Sequence, residues 1–256
     1  MKRTTKTIRL AKGNSQVVCV TAYDAVTARL ATAADVDLIL VGDSVGNVVL
    51  GFDSTVPVTL DMMAHHTAAV ARAKPSALVV ADIPFGVAHW DFQDLLKACV
   101  RLMQECGAEA VKIEGGRAAA PTIARLSAAG VPVMGHIGLQ PQQVFRLGGY
   151  RKFGKLDEAA EIVEDALAVE AAGAFAIVGE MLTPEVAKTI KGKISVPLIG
   201  IGSGDDCDGR ILVMHDILGF SPSYPSFAKP LANMAQIATD ALVAYRDSVR
   251  ALHKNQ

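Results

Sequence analysis

At 256 residues the chain has room for a sizeable core, and α/β barrels of roughly 250 residues commonly form one domain. Apolar residues make up 51% and aromatics only 5%, which implies an aliphatic core of Ala, Val, Leu and Ile. A formal net charge of -1 argues against a nucleic-acid-binding or membrane-surface protein, since both usually need a basic face.

The opening segment, MKRTTKTIRLAKG, is basic, but no apolar signal segment follows it, so no cleaved targeting peptide is expected. Val17 to Ala22 reads as a first strand, and Tyr23-Asp24 opens a helix through Ala34. A second strand, Leu38 to Gly42, leads into a long loop, Asp43 to Val58. A helix starting at Thr59 runs through Ala73, before a third strand, Leu78 to Ala81. A turn with Pro84-Phe85-Gly86 precedes a helix from Phe92 to Cys106. The fourth strand is Ala110 to Glu114, and its helix ends at Gly130, a C-cap.

Val131 to Gly135 is the fifth strand, followed by a long loop, His136 to Lys155, with Pro141, Gly148, Gly149 and Gly154. Loops of this length are usually functional or mobile. A helix from Asp157 to Ala172 stops at Gly173, ahead of strand six, Phe175 to Gly179. Thr183-Pro184-Glu185 is an N-cap with Pro at the first helical position. Strand seven, Pro197 to Ile201, enters Gly202-Ser203-Gly204. Ile211 to Met214 is the candidate eighth strand, although periodicity alone does not separate it from a helix. A helix over Asn233 to Leu252 completes the series.

Eight βα units make a (β/α)8 TIM barrel in a single domain, residues 1–256, the leading expectation. A doubly wound sheet is the alternative; it is disfavoured because no Gly-x-Gly-x-x-Gly turn follows the first strand. No apolar stretch escapes interruption by Gly, Asp or Pro, so no transmembrane span is expected. Cys19, Cys99, Cys106 and Cys207 show no Cys-x-x-Cys spacing and read as reduced thiols, consistent with a cytoplasmic protein.

Four of the apolar runs stop at an acidic residue: Asp43, Asp82, Glu114 and Glu180. Runs apolar on both faces suit parallel strands covered by helices. Carboxylates at the carboxyl ends of several barrel strands converge on one mouth, where such folds keep their chemistry. Asp43 and Asp82, hard oxygen donors without an adjoining His or Cys, favour Mg²⁺. Either one alone would serve equally as a loop hydrogen-bonder; with Glu114 beside them, the set reads as a site.

Lys112 and Glu114, two residues apart, leave the same strand face. A buried ammonium needs a partner or an anion, so Lys112 either pairs with a carboxylate or neutralises a substrate carboxylate or enolate. Glu180 is a candidate general base or a solvated rim residue. His136 either orients Glu180, polarises a carbonyl, or hydrogen-bonds structurally. The Gly200 to Gly204 stretch resembles a barrel phosphate cradle but has no basic partner nearby. His65 and His66, mid-helix, read as packing residues.

Longer blocks carry a family resemblance. VTAYD (from Val20), LVGDSVG (from Leu40), DSTVPVTLDMMAHHTAAV (from Asp53), ADIPFG (from Ala81), VKIEGG (from Val111), GHIGLQPQ (from Gly135) and IGIGSG...DGRILVMHDILG (from Ile199) resemble the ketopantoate hydroxymethyltransferase family. The matches run in order from about Val20 to Lys229. Only part of the family's closing motif is kept in FSPSYPSFAKPLANM, after Gly219.

The resemblance implies a TIM barrel of the phosphoenolpyruvate/pyruvate superfamily type. It implies transfer of a hydroxymethyl group from 5,10-methylenetetrahydrofolate to 3-methyl-2-oxobutanoate, forming 2-dehydropantoate through a Mg-stabilised enolate. By motif match Asp43 and Asp82 are metal ligands and Glu114 serves the metal shell. Asp43, Ser44, Asp82, Lys112 and His136 bind substrate, and Glu180 is the base. The small-molecule partners are a 2-oxo acid and a folate, and the assembly is a homodecamer. A Mg-dependent C–C lyase or mutase of the same superfamily is the alternative. The long loops after strands two and five are candidates to cover the site.

Overall fold

The computed structural model describes residues 1–149, 151–155, 158–221 and 223–252. The chain begins with α1 (Thr5–Leu10), β1 (Val17–Thr21), α2 (Ala25–Ala33) and β2 (Leu38–Val41). It continues with α3 (Val45–Val48), α4 (Leu60–Arg72), β3 (Leu78–Asp82), α5 (Phe92–Val100) and β4 (Ala110–Glu114). Then come α6 (Ala120–Ala128), β5 (Val133–Gly138), α7 (Val144–Leu147), α8 (Glu158–Ala171) and β6 (Ala176–Glu180). The last elements are α9 (Pro184–Lys193), β7 (Leu198–Ile201), β8 (Gly209–Leu212), α10 (Met214–Leu218) and α11 (Met234–Leu252). The eight strands pair in sequence order and close into a parallel barrel, which excludes the doubly wound sheet.

The chain divides into two compact units, Met1–Ile211 and Leu212–Gln256. In the second, α10 ends at Gly219 in the left-handed region, and Leu231 N–H donates to the Ile217 carbonyl (2.8 Å). No residue of α11 is buried. Among the described residues, no helix is long and apolar enough to cross a membrane.

The barrel interior follows the period of two. Leu38 and Leu40, Leu78 and Val80, Ala176 and Val178, with Cys19, Ala110, Met134, Ile199 and Ile211, form one buried aliphatic cluster. Ile8 of α1, an element absent from the expectations, belongs to the same cluster and is 2% exposed. Below the strands Lys12 reaches the buried Asp208 carboxylate (2.7 Å), which also accepts from Leu198 N–H (3.0 Å).

Several boundaries differ from the sequence reading. β5 starts at Val133 and runs on to Gly138, because ladder pairing continues from His136↔Val178 through Gly138↔Glu180. His136 is therefore within the strand and not past its end. Asp82 and Glu180 likewise close β3 and β6. The eighth strand lies two residues earlier than expected, since Met214 already begins a helix. The helix expected to Cys106 is α-helical to Val100 and π-helical over Arg101–Glu105, with Cys106 N–H donating to the Arg101 carbonyl. The expected Asp157 start of α8 lies outside the described residues, as does Pro222 in the closing segment.

Helix entry is encoded locally where Asp24 caps α2. Its carboxylate accepts from Thr27 N–H (2.7 Å), and Thr27 Oγ1 accepts from Asp24 N–H (3.2 Å), a capping box. Thr183 occupies the N-cap of α9 with Pro184 at the first turn, but its side chain makes no capping bond. His65 is exposed, whereas His66 donates from Nδ1 to the Tyr23 carbonyl (2.7 Å).

Candidate active site

Two residues further along the interior faces of β3, β4, β5 and β6, the aliphatic layer gives way to polar side chains. Val80 leads to Asp82, Ala110 to Lys112 and then Glu114, Met134 to His136, and Val178 to Glu180. Ladder register sets Asp82 beside Lys112, and Glu114 beside His136. Asp43 stands just past β2, following Gly42. A Cβ at Gly42 would lie 2.9 Å from Ser44 Oγ and 3.4 Å from Asp82 Oδ2, so the close approach of β2 to Asp82 requires glycine.

Lys112 Nζ lies 2.9 Å from Asp82 Oδ1 and 3.1 Å from His136 Nδ1. Asp82 Oδ2 accepts from Asp43 N–H (2.9 Å). His136 Nε2 is 3.1 Å from Glu180 Oε2, and Nδ1 is 3.5 Å from Glu114 Oε1. Both are ion-pair distances without hydrogen-bond alignment. Ser44 Oγ lies 2.9 Å from the hydroxyl of the buried Tyr23. Gln142, on the turn Pro141–Gln143, donates from Nε2 to Asp43 Oδ2 (2.9 Å) and to the Ile83 carbonyl (3.0 Å). Its backbone N–H donates to Glu114 Oε2 (3.1 Å).

Burial, then the charges of Asp82 and Glu114, raises the Asp43 carboxyl well above the usual carboxylate range. Burial also raises Asp82, against the opposing pull of Lys112. Glu114 goes the other way: burial is outweighed by His136, Lys112 and the Gln142 N–H, which favour its anion. Burial would lower Lys112, but the three carboxylates around it hold its ammonium above the usual lysine range. For His136, burial and Lys112 act downward, and Glu114 and Glu180 outweigh them, so its pKa rises to about 9. The imidazole is then protonated near neutrality, and Nε2–H faces Glu180. If Nδ1 instead accepts from Lys112, the proton still resides on Nε2. Burial pushes the Tyr23 phenol up, so it acts as a neutral hydrogen-bonding group.

Four carboxylates thus face one ammonium and one imidazolium, leaving two negative charges when all are ionised. Glu114 Oε1 is buried without a hydrogen-bond partner, and Asp82 Oδ1 has only the Lys112 ammonium against it. Among the described residues no three His, Cys, Asp or Glu side chains form a ready metal cage. Mg²⁺ takes one or two carboxylates and completes its shell with water and substrate. Hard oxygens, a surplus of negative charge and the orphaned Glu114 Oε1 fit that ion.

The six side chains Asp43, Asp82, Lys112, Glu114, His136 and Glu180 are joined through the contacts above, and Ser44 adjoins them in sequence. Tyr23 and Gln142 were not singled out from sequence, although both lie within quoted blocks. Their signals were a tyrosine directly after strand one and an amide in a proline turn, neither specific without the fold. The Gly200 to Gly204 stretch is not an open cradle. Ser203 is buried, donating to the Gly179 carbonyl (2.7 Å) and accepting from Leu182 N–H (2.9 Å), which ties β6 to β7.

The family model for ketopantoate hydroxymethyltransferase matches residues 2–253. A 3-methyl-2-oxobutanoate hydroxymethyltransferase from Caldivirga maquilingensis is 50% identical over 254 residues, covering 98% of this chain and 96% of the relative. One from Pelobacter propionicus is 47% identical over 245 residues, covering 95% and 91%. Among solved structures, 2,3-dimethylmalate lyase, a PEP mutase/isocitrate lyase superfamily member, has a TM-score of 0.55 at 18% identity, covering 99% and 89%. Phosphonopyruvate hydrolase in complex with oxalate and Mg²⁺ has a TM-score of 0.61 at 17% identity, covering 100% and 88%. At such identities these two structures speak to the fold alone.

Proposed function

The chain belongs to the ketopantoate hydroxymethyltransferase family, and from that premise we propose that it transfers a hydroxymethyl group from 5,10-methylenetetrahydrofolate to 3-methyl-2-oxobutanoate. The product is 2-dehydropantoate, a step of pantothenate biosynthesis. The observation that carries this reading is the cluster at the barrel mouth, in which four carboxylates surround a buried Lys112 and His136 and outnumber their charges.

Asp43 and Asp82 would hold Mg²⁺, with Glu114 supporting its shell through water. When bound, the ion supplies positive charge beside the substrate's keto and carboxylate oxygens, stabilising negative charge that develops there. Lys112 adds its ammonium to the same anionic substrate, and Ser44, steadied by the Tyr23 hydroxyl, offers a hydrogen bond. Glu180 removes the C3 proton. His136 stands behind it, and its ion-pair contact with Oε2 (3.1 Å) holds the carboxylate in place for that step. Water adds to the folate-borne methylene carbon and both C–N bonds break, releasing tetrahydrofolate and a one-carbon unit at the aldehyde level. The enolate carbon then attacks that carbon, and the proton taken from C3 returns to the new oxygen, which came from water.

The loops after β3 and β5 expose Phe85 and Phe145, flat apolar surface of the kind a pteridine ring stacks on. Assembly as a homo-oligomer, a decamer by the family resemblance, is supported by α11. That helix leaves Ile237, Leu242, Tyr245 and Leu252 exposed, apolar surface that association would cover. The chain acts as a single-domain enzyme in the cytoplasm.

Incubation with 3-methyl-2-oxobutanoate and 5,10-methylenetetrahydrofolate tests the proposal. Mg²⁺-dependent 2-dehydropantoate with stoichiometric tetrahydrofolate is expected. Cleavage or rearrangement of a 2-oxo acid derivative, with no one-carbon transfer, would instead favour a lyase or mutase.

A further inference from the structure

Each of the three clustered carboxylates that border the proposed metal site has one oxygen engaged by an N–H group. Asp82 Oδ2 is taken by Asp43 N–H, Glu114 Oε2 by the backbone N–H of Gln142, and Asp43 Oδ2 by the Gln142 side-chain amide. On Asp82 the second oxygen pairs with the Lys112 ammonium (2.9 Å), and on Glu114 it is buried without a hydrogen-bond partner. Two of these three restraints come from one residue, on the turn that follows β5.

The amide orientation of Gln142 follows from its surroundings. Its nitrogen faces a carboxylate oxygen and a backbone carbonyl, both acceptors, so an amide oxygen there would be repelled by each. The two N–H bonds of Nε2 are therefore both used. One is charge-assisted, on Asp43, and the other anchors the group to Ile83, the residue after Asp82. A donor hydrogen also repels a cation from the oxygen it binds, which leaves Asp43 Oδ1 to face one.

We propose that Gln142 is a positioning residue for the divalent cation: it fixes the carboxylates of Asp43 and Glu114 with their remaining oxygens turned to the metal. The inference rests on the Mg²⁺ reading above and extends it to the turn after β5. Seating that turn and organising the metal ligands become a single event, because the same side chain spans the ends of β2 and β3 while its backbone holds β4. Gln142 does not itself touch the ion or the reacting atoms. Outer partners of metal ligands typically control about 10–100-fold in affinity.

The test is Mg²⁺ binding to the purified full chain by calorimetry, without organic substrate, with Mn²⁺ paramagnetic resonance as an independent readout. Gln142→Met keeps the length and bulk of the side chain but removes both donors; Gln142→Ala removes the side chain as well. Unfolding in EDTA checks that each variant is folded, and Gln142→Met carries the test if Gln142→Ala is not. Gln143→Ala, on the same turn, serves as the neighbouring control. Weakening of Mg²⁺ and Mn²⁺ by about 10–100-fold in the Gln142 variants, with wild-type affinity in Gln143→Ala, is expected. Unchanged or tighter binding by Gln142→Met would overturn the role of the amide while leaving the metal reading intact. Wild-type protein that binds neither ion would remove the metal reading and this inference with it.

Discussion

Asp43 is buried against two other carboxylates, an arrangement that costs stability until a cation arrives. Asp43→Asn should therefore stabilise the metal-free protein while abolishing Mg²⁺ binding. A gain on the order of 1 kcal/mol would appear as about 2–4 °C in Tm for a chain of this size. The pH dependence has a definite sign. The folded Asp43 carboxyl binds its proton at a higher pH than the unfolded one, so wild-type stability falls as pH rises through that window. The advantage of the Asn variant is complete above the raised pKa and vanishes below the ordinary aspartate range. Thermal unfolding in EDTA across pH measures it; an equal or lower Tm near neutrality would contradict it. The acidic residues at strand ends were legible because the period of two carries an aliphatic interior directly up to them. Gln142 was not, because its meaning depends on Asp43, 99 residues away in the chain. No local pattern records such a contact.

Among the elements, β5 and β6 end where Gly138 pairs with Glu180. Gly138 has φ +84°, and a Cβ there would overlap the Glu180 carbonyl oxygen and come within 2.7 Å of Leu182 Cδ2. Gly138→Ala should cost about 2–4 kcal/mol, combining the left-handed backbone with overpacking, and should displace Glu180. Urea unfolding measures the loss; a cost below about 0.5 kcal/mol would show that the strand end relaxes freely. Just beyond, Met181 also holds a positive φ, 53°, with its N–H bonded to the Ile201 carbonyl. The glycine was visible in sequence, yet the strand was expected to stop at Gly135. Val-Met-Gly-His-Ile-Gly keeps an apolar residue on the helix-facing side as far as Ile137, and a polar His136 inward disguised the continuation. The polar residue that seemed to end the strand belongs to the site it carries. The π-helical turn at Arg101–Glu105 was not legible in the sequence, since a single turn of five residues is too short to show a period of its own.

At the scale of the whole barrel, the alternation of eight strand-like and helix-like segments was enough to indicate the fold. What it did not indicate is how the end opposite the site is secured. Asp208 is buried there between Lys12 and the Leu198 N–H, and its own carbonyl accepts from Val17 N–H (2.9 Å) where β1 meets β8. Asp208→Ala should destabilise by about 3 kcal/mol, because it leaves the Leu198 amide unsatisfied and leaves Lys12 only the Lys191 carbonyl, with no counter-charge. The loss should appear in chemical unfolding with Mg²⁺ affinity retained; loss of affinity in a folded variant would couple the two ends of the barrel. Such a division of labour, stability below and chemistry above, is what a closed parallel barrel permits. The chemistry itself is tested most directly by deuterium exchange at C3 of 3-methyl-2-oxobutanoate, followed by NMR in D₂O with Mg²⁺ and no folate. Wild-type protein should exchange the proton, and Glu180→Gln should do so at least about 100-fold more slowly while still binding Mg²⁺ and substrate. Exchange by Glu180→Gln at the wild-type rate, or none by wild type, would contradict the account.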